Sequence, residues 1–295
     1  MLLALAVAPV ARSAPTPVTA EPTNVRELKV LTYNIKGLPV ITNLDRLKQI
    51  GEILAERRRL GNEPDVVVLQ EAFVRKAQRV RKRAGYPYAI LGPTDGGLFR
   101  NSSGLEVLSN HPIVERHERR LDDCAFPECL VSKAVVGVSL GVPGVPAPVD
   151  VFTTHLQADT RNDRVRSNQI DDIAVFLERI RFGRVPAIFA GDFNFKPRHE
   201  SYHKFLRDTP FSDAGFDCLA ALETCEIVIG IHGQTDLYDV WKTTNDRQFY
   251  YQPADSPVRI EPVRVLRNFT EPVQRGERGF LSDHWGYEVH YRITW

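Results

Sequence analysis

The chain has 295 residues with 38 basic and 37 acidic side chains, so no overall field gathers nucleic acid. That length suits one large core or two smaller ones, and length alone does not choose. Basic residues cluster only locally, in "ERRR" at Glu56–Arg59 and "RKAQRVRKR" at Arg75–Arg83, with the helical spacing of solvated faces.

The first stretch, "MLLALAVAPVARSAPTPVTA", is apolar and then small and proline-rich. It falls short of the ~20 consecutive apolar residues that span a bilayer. It reads as a secretory signal, residues 1–20, with Val18 and Ala20 placed for cleavage, although the usual positive n-region is missing. The expected product is secreted (extracellular or periplasmic) and monomeric, with residues 21–295 as a single catalytic domain. Glu27–Asn34 follows as a strand. Leu44–Arg59 is a helix with Leu44, Leu47, Ile50 and Leu54 on one stripe. Asp65–Glu71 is a short apolar run without polar alternation, as in a strand covered on both faces. Further strands are expected at "SGLEVLSN", "SKAVVGVSL", "VDVFTTH" and "VPAIFAGDFN", and a helix at "DRVRSNQIDDIAVFLERI" with Ile170, Ile173, Leu177 and Ile180 inward. "GVPGVPAP" (Gly141–Pro148) joins two strands as a loop or long hairpin. The closing "WGYEVHY" alternates as a strand with one face on the core. Strands interleaved with helices give one α/β domain of layered sheets.

The four cysteines agree with export. Cys124 and Cys129 bracket "AFPE", and Cys218 and Cys225 bracket "LAALET". Three pairings are open, with two local bridges expected because each pair is close along the chain. Zinc is disfavoured, since neither spacing is C-x2-C.

Strand after strand ends on a charged or amide residue: Asn34, Glu71, His155, then Asp192 with Asn194. Asp283–His284 stands just before the last strand. Each alone reads as an ordinary turn, cap or core residue. Together they point to the crevice that α/β sheets leave beyond their strand ends. The chemistry such a set serves is metal-assisted phosphodiester cleavage. Mg2+ (or Mn2+/Co2+ in its place) takes one or two protein carboxylates and keeps several waters. Glu71 is the natural carboxylate, with Asn34 as an oxygen ligand or water holder. His284 suits a general base at neutral pH, His155 a donor to phosphate, and Asp192 and Asn194 the orientation of water and phosphate.

"LTYNIKGLP", "LQEA", "SGLEVLSNHPI", "THLQA", "GDFN" and "LSDHWGYEV" occur here in the order of the endonuclease/exonuclease/phosphatase superfamily, which this chain resembles from Leu28 to Tyr291. The resemblance implies the fold of pancreatic deoxyribonuclease: a four-layer α/β sandwich, two packed mixed β-sheets flanked by helices. It also implies a divalent-metal phosphohydrolase site. Carried over by motif, Asn34 and Glu71 are metal-side, His155 phosphate-side, Asp192 and Asn194 the GD-x-N pair, and Asp283 and His284 the terminal pair with His284 as base. The family's acid that orients the base usually lies in an R-[LI]-D-Y-like segment, which this chain lacks. Asp246 in "NDRQFYY" is the first choice for it and Glu261 in "RIEP" the second. Arg166 and Gln169 match an R-x-x-Q feature that braces the site.

Within the superfamily, "SKAVVGVSL" and "VDVFTTHLQA" are most similar to secreted neutral sphingomyelinases, with Ala134 where glycine is usual. The expected substrate is thus sphingomyelin at a phospholipid or sphingolipid membrane surface, cleaved to ceramide and phosphocholine. Trp241, Phe249, Tyr250 and Tyr251 are candidates for that interface, with core packing the plainer reading. The alternatives are a DNase-like endonuclease, an inositol-phosphate phosphatase, and a non-catalytic binding member of the fold. A nuclease would need a basic track, for which Arg100, Arg161 and Arg164 are candidates. "NSS" at Asn101 and "NFT" at Asn268 are glycosylation sequons relevant only to a eukaryotic secretory route.

Overall fold

The computed structural model describes residues 24–38, 44–73, 77–94, 102–180, 182–228, 237–273 and 279–295. The leader, Arg100 and Asn101 lie outside the described residues. β1 (Val25–Asn34) and β2 (Val66–Gln70) run parallel, Val30 beside Val66 and Asn34 beside Gln70. Among the described residues they belong to a seven-stranded sheet. Its order is β10 (Glu226–Val228), β12 (Arg259–Asn268), β13 (Gly286–Thr294), β1, β2, β4 (Glu106–Ser109), β3 (Tyr88–Leu91). A six-stranded sheet has the order β5 (Ile113–Arg120), β6 (Ala134–Leu140), β7 (Val149–His155), β8 (Ala187–Asp192), β11 (Asp246–Tyr251), β9 (Ser212–Asp213). Both sheets are mixed: β7 and β8 are parallel, β8 and β11 antiparallel.

Alternation along the strands builds the layers. Val66 and Val68 face the second sheet, meeting Val136, Val151 and Ile188 in the inter-sheet core. Val67 and Leu69 point the other way, against Leu47, Ile50 and Leu54 of α1 (Leu44–Arg59) and Val80 of α2 (Gln78–Ala84). The outer face of the second sheet packs Phe152 and Phe189 on Ile170, Ile173 and Leu177 of α3 (Asp163–Arg179) and Phe205 of α4 (Glu200–Asp208). Two further short helices, α5 (Ala214–Ala220) and α6 (Leu237–Thr243), lie between β9 and β11 in the chain. Helix, sheet, sheet, helix is the four-layer sandwich expected. A central strand such as β2 is therefore covered on both faces, which is why "DVVVLQE" has no polar alternation.

β13 departs from the expectation of one solvated face. Tyr287, Val289 and Tyr291 lie in the inter-sheet core, but Glu288 and His290 are buried on the opposite face. There Arg57 of α1 donates to both Glu288 oxygens, at 2.7 and 2.9 Å. Asn268 donates to Glu288 as well, at 2.7 Å, so its sequon is engaged inside the fold. Two of the aromatic residues offered for a membrane interface, Phe249 and Trp241, are also core. Phe249 is fully buried 4.6 Å from the Phe205 ring, and the Trp241 indole donates to Asp213 at 2.9 Å. The reason is position: one face of β11 turns Phe249 toward the α3 and α4 layer and the other turns Tyr250 toward the inter-sheet core. Tyr250 and Tyr251 are half-buried.

Both local disulfides form, Cys124–Cys129 and Cys218–Cys225. Gly141–Pro148 joins antiparallel β6 and β7 with Leu140 opposite Val149. No helix among the described residues is long and apolar enough to cross a membrane.

Candidate functional site

Parallel strands deliver their ends to the same edge, and the site is built on that rule. Asn34 closes β1 beside the end of β2, where Glu71 follows. His155 and Asp192 are register partners at the ends of β7 and β8, and Asp192 is paired in turn with Asp246 at the start of antiparallel β11. β13 is antiparallel to β1, so Ser282–His284 arrives at that same edge. The Ser282 hydroxyl fixes it there by donating to the Asn34 carbonyl at 2.7 Å. Two glycines permit the close approach. A Cβ at Gly37 would stand 2.5 Å from the Glu71 carbonyl oxygen, and one at Gly191 2.4 Å from that of Thr154. Glu71 and Asn194 themselves take left-handed backbone, φ 57° and 52°, a strain that surrounding structure must hold.

Asp192 is the hub. Its Oδ2 accepts from Asn34 Nδ2 at 3.0 Å and lies 3.6 Å from His155 Nε2 and 3.7 Å from His284 Nε2. Its Oδ1 accepts from the Asn194 amide at 3.1 Å. Asn34 also donates to Glu71 Oε1 at 3.0 Å, while its own oxygen accepts from the Lys36 amide at 3.0 Å. Asn34 thus presents nitrogen, not oxygen, to the carboxylates. Asn194 Nδ2 donates to the Leu156 carbonyl at 2.9 Å. His284 Nδ1 lies 2.8 Å from Asp246 Oδ2, so of the two acids considered for that partner it is Asp246 that meets the ring. Glu261 is exposed on β12 and pairs with Arg292 at 2.8 Å. Asp283 is paired with Lys36 at 2.7 Å.

Burial and charge drive the two histidines apart. Burial alone would lower His284, but the carboxylates of Asp246 and Asp192 outweigh it and hold the imidazolium up to about 10. Burial pushes His155 well below its ordinary value, helped by the Lys133 and His284 charges. Burial also raises Glu71 and Asp192 above the usual carboxylate range, each further raised by a neighbouring acid. Negative charge is therefore under-compensated in the protein alone, which is what a divalent cation corrects. Among the described residues, ligand atoms of Asp192, Asp246 and His284 lie within 4.8 Å of one another. The short His284–Asp246 contact already occupies that ring nitrogen, whereas the Glu71 carboxylate offers the hard oxygen that Mg2+ prefers.

Arg166 and Gln169 brace the loop after His155. Arg166 Nη1 donates to the Gln157 carbonyl at 2.9 Å, and the Gln157 amide donates to Gln169 Oε1 at 2.9 Å. Arg161 is tied to Asp159 at 2.6 Å and Arg164 is exposed on α3. Sequence reading passed over Lys36, which sits in "NIKG", and Lys133, which sits in "SKA". Lys133 is 4% exposed, donates to the Leu156 carbonyl at 3.1 Å and pairs with Glu128. Two clefts meet at His284. One, about 310 Å³, is polar and holds Asp246, Arg267, Asp283 and Trp285. The other, about 480 Å³, holds Glu71, His155, Asp192 and Asn194 at its polar end and is walled by Leu38, Phe73, Pro127, Leu130 and Val131.

Residues 31–284 match the profile described as the Endonuclease/Exonuclease/phosphatase family. No curated protein gives a significant match. Solved structures share the fold. Sphingomyelinase C from Streptomyces griseocarneus is 22% identical, with 90% of this chain and 99% of that one covered and a TM-score of 0.63. A beta toxin mutant from Staphylococcus aureus with bound magnesium ions is 17% identical, covering 91% and 99%, at 0.63. TDP2 from D. rerio complexed with a single strand DNA product is 18% identical, covering 90% and 98%, at 0.61.

Proposed function

The chain belongs to the endonuclease/exonuclease/phosphatase family, whose members are hydrolases of phosphoester bonds and typically depend on a divalent metal, and from that premise we propose that it is an exported, Mg2+-dependent phospholipid phosphodiesterase of the sphingomyelinase C type. It would release an apolar alcohol, ceramide, and leave phosphocholine. The observation that carries the lipid reading is the apolar wall of the cleft beginning at Glu71 and His155. Lys133 is the single lysine or arginine lining that cleft among the described residues, and Glu128 neutralises it. Nucleic acid would instead call for several uncompensated Lys/Arg contacts to phosphates. The relative named as a sphingomyelinase C, and the two disulfides expected of an exported chain, add support.

Glu71 would hold the metal, with Asn34 fixing its carboxylate by hydrogen bond. When bound, the cation neutralises phosphate charge, favours the unprotonated His284 ring and stabilises the departing oxygen. His284 takes the proton from the attacking water. Asp246 sets which ring nitrogen is free for that work and, with Asp192, stabilises the imidazolium that forms. Buried and neutral, His155 holds a phosphate oxygen through an N–H without adding charge. Asn194 and Asp192 orient water and phosphate, and Asp283 keeps Lys36 at the rim.

Phosphocholine esters of lengthening alkyl chain, kept below their aggregation concentration, test the cleft. Each buried CH2 contributes about 0.8 kcal/mol, so kcat/KM should climb about fourfold per carbon until the cleft is full. A flat series would remove the apolar cleft as the alcohol site.

A further inference from the structure

Resting on that lipid reading, we infer that the loop closed by Cys124 and Cys129 is a docking element that seats the enzyme on a zwitterionic phospholipid surface, with Phe126 and Leu130 entering the lipid. Phe126 is 80% exposed and Leu130 63%. Singly exposed apolar side chains are ordinary. This pair differs in three respects.

The two residues share one short loop, and Pro127 and Leu130 of that loop wall the apolar cleft. The loop is also held rigid. Besides its disulfide, the Ala125 amide donates to Gln157 Oε1 at 2.9 Å, and Glu128 accepts from the Ala158 amide at 3.0 Å while pairing with buried Lys133. These bonds fasten it to the segment directly after His155. Held this firmly, the loop presents the Phe126 ring to solvent next to Pro127, which walls the cleft. The water-exposed ring is stabilised only when an apolar partner covers it.

The partner must bring an apolar body and a phosphodiester together, because the cleft leads from Leu130 to Glu71, His155 and His284. A lipid surface does so. Its charge follows from the same loop, where Glu128 is matched by Lys133, Asp122 by Arg119 and nearby Arg161 by Asp159. Charges so balanced offer anionic headgroups no attraction, so the fitting surface is zwitterionic.

The test is sedimentation of the full chain, disulfides intact, with phosphatidylcholine–sphingomyelin vesicles in EDTA to prevent turnover. Wild type should co-sediment. Phe126→Ser should lower the partition coefficient about tenfold, adding Leu130→Ser about tenfold more, and Phe126→Trp should retain binding with a blue-shifted emission. Hydrolysis of soluble bis-p-nitrophenyl phosphate and the melting temperature should be unchanged in Phe126→Ser. Unchanged vesicle binding by that variant, with sphingomyelin still hydrolysed, overturns the docking role and leaves the lipid reading standing. Equal loss of soluble and vesicle activity would mean that the loop merely shapes the site. A wild type that nicks DNA but neither binds vesicles nor cleaves lipid defeats both readings.

Discussion

Replacing Glu106 with glutamine should raise stability at alkaline pH and leave it nearly unchanged in acid. Glu106 opens β4, paired with Leu69 on one side and Leu91 on the other, and is 3% exposed. Its Oε2 is buried without a hydrogen-bond partner. Burial pushes the carboxyl up to about 7, and the Arg81 charge only partly opposes it. Above pH 7 folded and unfolded chains are both ionised, and the fold bears the whole cost of a buried charge. Below the unfolded value near 4.5 both are protonated and that cost is gone, so stability is lost as pH rises between the two. A gap of about 2.5 pH units at 1.36 kcal/mol each comes to about 3 kcal/mol. Thermal unfolding followed by circular dichroism at pH 5 and pH 8 should show Glu106→Gln melting about 6–10 °C above wild type at pH 8 only. At pH 5 the new amide's unmatched donors should cancel any gain or reverse it. Glu71, Asp150 and Asp192 are raised too, but both proteins carry them, so the difference isolates Glu106. An equal difference at both pH values would refute the buried-carboxylate argument.

His284→Ala should cut kcat about 10²–10⁴-fold with little change in melting temperature, since the ring is part-exposed and empties no core; retained turnover would remove it as the base. Asp246→Asn should lower kcat by a similar factor at nearly constant KM and displace the pH–rate profile, because the hydrogen bond that fixes the His284 ring is altered; an unmoved profile would reduce Asp246 to a packing role. Glu71→Gln should raise the Mg2+ concentration for half-maximal rate at least tenfold and abolish the rise in melting temperature that Mg2+ gives wild type; an unchanged Mg2+ optimum would place the metal elsewhere.

What the sequence disclosed and what it hid divide along physical lines. Strands covered on both faces announce themselves as apolar runs, and Val66–Gln70 is one. The polar residues that end them, Asn34, Glu71, His155 and Asp192, stand out for the same reason. Asp246 was harder, because it reaches His284 only through strand pairing with Asp192 and no local string marks it. The burial of Glu288 was hidden because its partner Arg57 lies 231 residues away on α1. Tyr250 and Tyr251 alternate like any strand residues, and their covering depends on the layers packed on the two faces of β11. Phe126 carried no signal at all, since only the surrounding tethers reveal that it is held outward.

The most direct measurement is phosphocholine release from sphingomyelin vesicles in Mg2+ and in EDTA, beside a plasmid-nicking assay on the same preparation. Release in Mg2+ that stops in EDTA, without nicking, is the result expected of a lipid phosphodiesterase. Metal-dependent nicking without phosphocholine would contradict the lipid substrate, and neither activity would contradict the catalytic site itself.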